Sequence, residues 1–375
     1  MTSATGAGPA ASATPETLYA VLPSGVDDRT RPSGGNVYDR RVLRGLAERG
    51  RPVVELPVAG SWPTPEPGDL HELDTLLVGI PEGSVVLVDG LVASGSAAVL
   101  PRYAGRLRVV VLLHMPVGPD RAEEMVLTSA AAVVTTSEWS RDRIREWYGA
   151  RDVQVAVPGT DPVHPRTPRA GVGGGTSFLC VAAVHPGKGH DLLLEALGSL
   201  GDRAWTLHCV GSLDVDPDHA AGLQTQVYAR SWERRVIFTG PLAGSALAAA
   251  YDDADLLVLP SRSESYGMAV VEALAHGLPV VATSVGGVPE ALGRGPVGGL
   301  PGMLVPAEDP RALAGALRAW LDDPGLRERL EYAAARRRHT LRRWDDTVTD
   351  VAAVLERVAA HEPAWASHGR TSGRR

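Results

Sequence analysis

The sequence predicts an α/β protein built from two parallel, doubly wound sheets in tandem, and three observations lead to this prediction. Its 375 residues exceed what one ordinary hydrophobic core organises and suit two domains. Short apolar runs typical of buried strands alternate with segments of helical spacing, as in a parallel sheet covered by helices on both faces. The alternation stops at a stretch rich in proline and glycine, 158–176, and then restarts. Each half therefore predicts a Rossmann-like unit.

The strands of the first half are predicted from its continuous Val- and Leu-rich runs. These runs fall at 17–24, 53–56, 85–89, 109–113, 131–135 and 153–157. A helix opens at Asn36 and ends at Gly50, because apolar residues recur at helical spacing between them. A second helix, 141–147, follows Ser137 and Ser140, which are typical helix caps.

The second half repeats the alternation of strands and helices. Its strands are predicted at 177–183, 205–210, 236–238, 255–259, 279–282 and 303–305. Its helices are predicted at 189–200, 218–231, 244–251 and 267–276. The stretch 310–360 has helical character throughout, so the second sheet is followed by a helical carboxyl-terminal region.

The domain organisation follows from this pattern. We predict a first domain at 17–160, a linker at 161–176 and a second domain at 177–341. The leader, 1–16, is rich in Ala, Ser, Thr, Gly and Pro, and we predict that it and the tail, 361–375, are disordered.

Composition narrows the class of function. The net charge of -7 excludes the strongly basic footprint of a nucleic-acid-binding protein. No apolar run approaches the roughly 20 residues of a membrane span, and the leader lacks the pattern of a signal peptide, which predicts a cytoplasmic protein. Cys180 and Cys209 lie in strand-like runs and are predicted to be buried thiols rather than a disulfide.

A turn with a carboxylate, between a strand and a helix, is the strongest indication of function. Glu264 follows the strand 255–259, Gly267 stands where the next helix opens, and Glu272 lies further into that helix. Ligands of doubly wound folds bind beyond the carboxyl ends of the strands, and a helix N-terminus favours a diphosphate. Glu264 would then bind sugar hydroxyls and Glu272 a ribose diol. The plainer alternative is a helix-start carboxylate and a solvated helix residue.

Lys188 is the one lysine among 37 basic residues. It stands in the turn 186–189, Pro-Gly-Lys-Gly, which is a candidate phosphate-binding turn. A compact ammonium and a planar guanidinium are not equivalent at a crowded phosphate site, so this usage favours a functional lysine. His185 and His190 flank the turn, and the sequence leaves their role open.

Two glycine turns and two strand-end residues complete the candidates. The turn 286–290, Gly-Gly-Val-Pro-Glu, either approaches a ligand or is an ordinary strand-to-helix turn. The turn 33–36, Ser-Gly-Gly-Asn, leads into the first helix, and such turns cradle phosphates. His114 and Asp89 end central strands, so they face the cleft unless their role is structural.

Together these motifs resemble glycosyltransferase family 4, whose members have the GT-B fold and retain the anomeric configuration of the transferred sugar. The resemblance covers roughly residues 18–355. Its most specific part is Glu264 and Glu272, eight positions apart, followed by the turn 286–290. The lysine turn ahead of them and the glycine turn in the first domain complete the match.

The resemblance implies a nucleotide-diphospho-sugar donor, linked to UDP or GDP, with no bound metal and no cofactor. Lys188 would contact the diphosphate, Glu264 the hydroxyls of the transferred sugar and Glu272 the ribose. Lys188 and Glu264 would be catalytic residues. The two Rossmann-like domains would face each other across a cleft that holds the donor.

The same resemblance implies donor contacts from both domains. Gly34 and Gly35 would close over the diphosphate, and His114 would face the donor sugar as a third catalytic residue. The remaining donor contacts would come from the start of the helix that follows Glu264, at Tyr266, Gly267 and Met268. The last helix, about 342–360, would cross back to the first domain, with Trp344 packing there.

One departure from the family concerns the diphosphate. The family commonly places an arginine five residues before the lysine or next to it, and Ala183 and Gly187 occupy those positions here. The diphosphate therefore lacks a charge partner unless Arg262 or an arginine of the first domain replaces it.

The acceptor is left open between a lipid-linked molecule and a small molecule. First-domain loops such as 57–70 and 90–100 are expected to contact it. The arginine-rich stretch 336–343 is either a solvated helix face or a peripheral contact with the inner membrane face.

Three other functions are alternatives to a transferase. A degenerate GT-B protein would bind a nucleotide-sugar without turnover, and the missing arginine favours it. A sugar-nucleotide epimerase would need acid/base groups near the sugar C2 carbon, for which the sequence has no matching motif. An NAD-linked oxidoreductase is disfavoured because no Gly-x-Gly-x-x-Gly turn with a downstream acid is present.

Overall fold

The computed structural model describes residues 16–163, 175–295 and 298–360, and there the chain forms two six-stranded parallel sheets. Apart from Glu16, the predicted leader lies outside the described residues, as do the centre of the predicted linker and the whole predicted tail. The predicted fold class, α/β with two doubly wound sheets, is confirmed.

The first sheet has the strand order β2-β1-β3-β4-β5-β6, and all its neighbours pair in parallel. Its strands β1 to β6 are Leu18–Pro23, Val53–Val58, Val85–Asp89, Arg108–Leu113, Ala132–Thr135 and Val153–Val155. The helices α1 to α5 of this half are Gly34–Glu48, Pro67–Val78, Gly90–Ser94, Arg121–Ser129 and Glu138–Tyr148. The strand order reverses between β1 and β3, which is where ligands bind in such sheets.

The second sheet has the order β12-β11-β10-β7-β8-β9, again wholly parallel, with its reversal between β7 and β10. Its strands β7 to β12 are Ser177–Val181, Thr206–Val210, Val236–Gly240, Leu256–Leu259, Val280–Thr283 and Gly302–Val305. The helices α6 to α13 are His190–Gly198, Pro217–Ala229, Gly244–Asp253, Met268–Ala275, Val288–Leu292, Pro310–Asp322, Pro324–Arg337 and Trp344–Ala360. Short 3₁₀ turns lie at Leu100–Tyr103, Pro186–Lys188 and Arg338–Thr340.

Each sheet is buried on both faces, which explains why its central strands are continuous apolar runs. In β3, Val86 and Val88 belong to the hydrophobic cluster on one face, and Val85 and Leu87 to the cluster on the other. The second sheet divides its strands between two clusters in the same way. Cys180 and Cys209 are buried free thiols, as predicted.

The last helix, α13, packs on the first half of the chain. Val348, Val351 and Leu355 share one hydrophobic cluster with the buried face of α1. The Trp344 ring lies 5.8 Å from the Tyr38 ring in an edge-on arrangement. The chain leaves the first half after β6 and returns to it at the start of α13. These two crossings between the halves run side by side.

Hydrogen bonds join these two crossings. Thr160 N–H donates to Arg342 O at 2.9 Å, and Thr347 Oγ1 donates to Val157 O at 2.7 Å. Thr160 and Arg343 also form an isolated parallel bridge. Hydrogen bonds therefore join the two crossings where the chain passes between the halves.

Two predictions of local structure were wrong. Ser140 is not a cap but lies within α5, whose cap is Ser137, with its Oγ accepting from Ser140 N–H at 3.0 Å. The expected loops are partly regular structure, because 57–70 contains the end of β2 and the start of α2, and 90–100 contains α3. Among the described residues, no helix combines the length and apolarity needed to cross a bilayer.

Candidate functional site

Predicted residues from both halves lie together where the halves meet. Gly34 is next to Met268, since a Cβ on Gly34 would lie 3.0 Å from Met268 Sδ. Gly35 lies against the His114 ring, with 3.0 Å between a Cβ built on the glycine and His114 Cδ2. Both glycines are the first residues of α1, which begins at Gly34 rather than at the predicted Asn36, so the start of α1 touches both the end of β4 and the start of α9.

Lys188 and Glu264 form a partly buried ion pair. Lys188 Nζ lies 2.7 Å from Glu264 Oε1, and Ser261 Oγ donates to the same oxygen at 2.9 Å. The lysine follows β7 and the glutamate follows β10, which are the strands between which the second sheet reverses. An incoming anion would find the ammonium already positioned there by a carboxylate.

The lysine turn is held against the end of β10. Gly189 has φ +68°, and a Cβ there would overlap Pro260 O, so glycine is required. Arg262 N–H donates to Gly187 O at 2.9 Å. These backbone contacts fix the position from which Lys188 extends.

Arg262 supports this turn and is engaged with protein groups. Its guanidinium donates to both Asp191 carboxylate oxygens, at 2.8 and 2.7 Å, and to Pro186 O at 2.6 Å. It also contacts Glu308 Oε1 at 2.5 Å. The hydrogen bonds to Asp191 and Glu308 raise the pKa of Arg262. In this structure the Arg262 guanidinium is therefore paired with two acids of the protein.

Gly286 and Gly287 shape the Glu264 loop through backbone contact. A Cβ on Gly286 would overlap Glu264 O, and a Cβ on Gly287 would overlap Ser265 O. Gly287 N–H donates to Glu264 O at 3.2 Å. The glycines therefore let the backbone of this strand-to-helix turn approach the backbone of the Glu264 loop closely. The close neighbour of the turn is thus a loop that carries a candidate site residue.

The helix after Glu264 begins without a side-chain cap. Gly267 precedes α9 with φ +102°, and no side chain caps the first-turn N–H groups among the described residues. Tyr266 is buried beside this turn, and burial raises its pKa to about 12, so its hydroxyl stays protonated. The helix start therefore offers N–H groups to a ligand.

Glu272 is partly buried and has a fixed partner. Tyr251 donates its hydroxyl hydrogen to Glu272 Oε2 at 2.7 Å. Burial raises the pKa of Glu272, and the tyrosine hydrogen bond opposes that rise. The alternative that Glu272 is a solvated helix residue is therefore wrong.

His114 belongs to a buried polar cluster that the sequence did not predict in full. Its Nε2 lies 2.7 Å from Asp39 Oδ1 and 3.6 Å from Asp89 Oδ2, and its ring packs edge-on against Tyr38. Burial alone would lower the pKa of His114, but the two carboxylates outweigh it and raise that pKa. Burial raises the pKa of Asp89 to about 7, and the charge of Asp39 adds to that effect.

Asp39, Asp89 and His114 each have an atom that could ligate a metal ion, and these three atoms lie within 4.8 Å of one another. The 2.7 Å between His114 Nε2 and Asp39 Oδ1 is a hydrogen-bond distance. Two atoms that share an ion at about 2.0–2.2 Å lie roughly 3 Å or more apart. The geometry therefore fits a hydrogen-bonded cluster better than an ion site.

Asp39 was not among the predicted site residues, and a single acid on a helix usually faces solvent. It lies on the helical stripe of Val42, Leu43 and Leu46, all buried. An acid on an otherwise apolar stripe was the signal that could have identified it.

Glu290 connects the two halves rather than facing the cleft. Its carboxylate accepts from Glu138 N–H at 2.9 Å and Trp139 N–H at 2.7 Å, at the start of α5. Beside it, Ser137 Oγ donates to Ser265 O at 2.6 Å. The loop that carries Glu264 is thus attached to a helix of the first half.

The two histidines near Lys188 have structural roles. His185 Nδ1 accepts from Gly187 N–H at 3.2 Å. His190 is buried beside Cys180, and burial lowers its pKa to about 4, so it is neutral.

Comparison with known proteins agrees with this arrangement. Residues 172–337 match the family model described as glycosyl transferases group 1. The D-inositol 3-phosphate glycosyltransferase of Jonesia denitrificans is 34% identical over an alignment of 255 residues that covers 63% of this chain and 59% of that protein. Its counterpart from Kineococcus radiotolerans is 35% identical over an alignment of 248 residues that covers 59% of this chain and 56% of that protein. The chain thus spans less than two thirds of these relatives.

Solved structures share the fold. Sucrose-phosphate synthase from Thermosynechococcus elongatus superposes with a TM-score of 0.75 at 20% identity, over 92% of this chain and 99% of that one. Anabaena HepE in complex with UDP-glucose gives a TM-score of 0.69 at 18% identity, over 92% and 100%. The chain therefore has the GT-B architecture of these proteins.

Proposed function

Residues 172–337 of this chain belong to the family of glycosyl transferases group 1, and on that premise we propose that the protein is a retaining hexosyltransferase. It takes the hexosyl group from a nucleoside-diphosphate sugar and needs no bound metal. The observation that carries the proposal is the Lys188–Glu264 pair, 2.7 Å apart, beside the uncapped start of α9.

The diphosphate of the donor fits the cationic end of this site. The Lys188 ammonium and the first N–H groups of α9 together present positive charge to an anion. Negative charge grows on the leaving diphosphate in the transition state. Donors held in place before the reaction stabilise such charge without reorganising.

The sugar and the ribose fit the two glutamates. Glu264 can accept hydrogen bonds from hydroxyls of the transferred sugar while Lys188 turns to the diphosphate. Glu272, held by Tyr251, keeps one carboxylate oxygen for a diol. The Glu264 loop is positioned by Gly286 and Gly287, so its carboxylate is directed by backbone packing.

Retention follows if the acceptor attacks from the face that the diphosphate leaves. The bond between the anomeric carbon and the phosphate oxygen breaks, and a bond from that carbon to the acceptor oxygen forms. The acceptor's proton passes to the leaving phosphate oxygen, so no separate protein base is required.

The relatives suggest which substrates to test first. The solved HepE structure contains UDP-glucose, which supports a UDP-linked hexose as the first donor. The curated relatives are named for D-inositol 3-phosphate, which supports an inositol phosphate as the first acceptor. GDP-linked donors and lipid-linked acceptors complete the panel.

A second candidate is a protein that binds the nucleotide-sugar without turnover. Ala183 and Gly187 supply no charge where the resemblance to glycosyltransferase family 4 implies an arginine, and Arg262 is paired with Asp191. Binding without transfer by an otherwise intact protein would favour this candidate.

The test is thermal stabilisation, donor hydrolysis and transfer with a panel of UDP- and GDP-sugars, with and without EDTA. We expect one donor to stabilise the protein and to be consumed despite EDTA. Lys188→Ala and Glu264→Ala should each lower transfer by about 100-fold or more. Arg203→Ala is the matched control, because Arg203 forms an exposed pair with Asp322 in the same half.

The outcomes separate the candidates. Near-wild-type turnover in either site variant contradicts the donor placement. Loss of activity in EDTA, restored by Mg²⁺, contradicts metal independence. If a donor stabilises the wild-type protein but is neither hydrolysed nor transferred, the second candidate, a protein that binds the nucleotide-sugar without turnover, is favoured.

A further inference from the structure

The first half of the chain buries an acid directly beside the candidate sugar site. Asp39 is 1% exposed and lies on the apolar face of α1. One of its oxygens pairs with His114 Nε2 at 2.7 Å, and Oδ2 is buried without a hydrogen-bond partner among the described residues. A buried carboxyl group with an unpartnered oxygen is costly, so its presence calls for a role beyond packing.

The His114 ring is held on several sides. Asp39 and Tyr38 approach it from α1, Asp89 approaches from the end of β3, and Gly35 lies against the ring. Asp39 and Asp89 are the acids that face the ring within the described part of the chain, and Asp89, with its pKa of about 7, carries its charge above neutral pH. Tyr38 stays neutral because burial raises its pKa well above the ordinary value.

The two ring nitrogens have different surroundings. An ionised carboxylate can only accept a hydrogen bond, so Nε2 carries a hydrogen toward Asp39. Nδ1 has no hydrogen-bond partner within the described ranges, and the side chain keeps 16% of its surface exposed. Nδ1 is therefore the atom through which the ring can meet a substrate.

We propose that Asp39 is a positioning residue that, together with Asp89, keeps His114 doubly protonated, so that Nδ1–H donates to an oxygen of the bound donor. That oxygen is a sugar hydroxyl or a phosphate oxygen, both of which accept such a hydrogen bond. The identity of the donor rests on the proposed function, but the protonation of His114 does not.

The first test is an NMR pH titration of labelled histidine side chains, with His114→Gln identifying the resonance. In the wild-type protein we expect the pKa of His114 to lie above its ordinary value of about 6.5. Asp39→Asn keeps the shape of the side chain and removes the charge, so this pKa should fall by about one to three pH units. Glu123→Gln is the matched control, a buried acid of the same half that pairs with Tyr148 instead.

The second test is the pH profile of transfer. Because the protonated ring is the active form, kcat/KM should fall as pH rises through the pKa of His114. In Asp39→Asn this fall should move to lower pH, with near-wild-type transfer at low pH and about tenfold or greater loss at high pH. Glu123→Gln should leave the position of the fall unchanged.

A binding arm distinguishes the two possible oxygens. The comparison is made at a pH between the measured His114 pKa values of the wild type and Asp39→Asn. If the variant weakens binding of a UDP-sugar but not of UDP at that pH, Nδ1–H meets a sugar hydroxyl. If it weakens both equally, Nδ1–H meets a phosphate oxygen. Unchanged binding of both ligands contradicts the proposal.

The titration of the wild-type protein tests the proposal even if the Asp39→Asn variant is unstable. A wild-type His114 pKa at or below 6.5 overturns it without any substitution. An unchanged pKa in Asp39→Asn, or a lowered pKa with an unmoved transfer profile, overturns it as well. If the wild type transfers no sugar, the proposed function fails, and the titration and binding arms still decide the role of Asp39.

Discussion

Gly34 and Gly35 are adjacent but face neighbours of different stiffness. A Cβ on either would come within 3.0 Å of another side chain. The neighbour of Gly34 is the thioether of Met268, which adapts easily. The neighbour of Gly35 is the His114 ring, which Asp39 and Tyr38 hold in place.

We therefore predict that Gly35→Ala is the more harmful of the two alanine variants. Overpacking against a fixed ring costs about 1–3 kcal/mol, or displaces the ring from the donor. Transfer should fall about tenfold or more in Gly35→Ala and only a fewfold in Gly34→Ala, measured as kcat/KM. Gly105→Ala is the control, because nothing lies within 4 Å of a Cβ there. Equal effects at both positions would contradict the rigid-ring argument.

At this scale, the candidate ligand-binding residues could be predicted from the sequence better than the residues that support them. Lys188 and Glu264 were recognisable because their types and the turns around them indicate phosphate and sugar chemistry. Asp39 was not, because its role depends on His114, 75 positions away. The role of Glu290 was also hidden, since its partner N–H groups at 138 and 139 belong to the other half.

At the scale of elements, burial decided what could be predicted. Strands such as β3 and β10 are buried on both faces, so their apolar runs predict them with little ambiguity. Helices α2 and α4 were not predicted, because α2 buries only Leu73 and Leu77, and α4 buries only Glu123, Val126 and Leu127. Two or three buried positions do not establish a helical period.

The contact between α1 and α13 gives a prediction about packing. Gly45 lies within α1, and a Cβ there would sit 2.5 Å from Val348 Cγ2. Gly45→Ala should therefore destabilise the protein by about 1–3 kcal/mol, although alanine normally favours a helix. The measurement is the free energy of unfolding in urea.

A double variant and a matched control make this test specific. Val348→Ala removes the clashing methyl groups, so adding it to Gly45→Ala should give a smaller loss than the two single losses summed. Gly222 lies in α7 with nothing within 4 Å of a Cβ. Gly222→Ala should stabilise by up to about 1 kcal/mol. Additive losses at 45 and 348 would place α13 elsewhere.

At the scale of the whole molecule, the halves are joined by contacts distant in sequence. The crossings at Thr160 and Arg342 lie side by side, and Arg31 of the first half donates to Asp214 O at 2.7 Å. Glu290 adds the cap on α5. Local patterns predict each sheet but carry no information on how the two sheets are oriented, because these few contacts determine it.

Glu290 therefore provides the test of whether orientation matters for transfer. Glu290→Ala removes the carboxylate that caps α5, which costs about 0.5–2 kcal/mol of stability. Lys188 and Glu264 are untouched, so UDP should bind within about threefold of wild type. Transfer should fall about tenfold or more, because His114 and Gly35 would no longer be held over the donor, and small misplacements are costly in rate.

The control for this prediction is Glu328→Ala, an exposed glutamate on α12 of the same half. Titration calorimetry with UDP and a transfer assay are run on both variants. In Glu290→Ala we expect the two measurements to separate, with UDP binding retained and transfer reduced. If UDP binding and transfer fall together, Glu290 acts on the loop that carries Glu264, through the backbone contact of Gly287 with Ser265. If neither falls, the Ser137–Ser265 hydrogen bond and the paired crossings are enough to hold the halves in register.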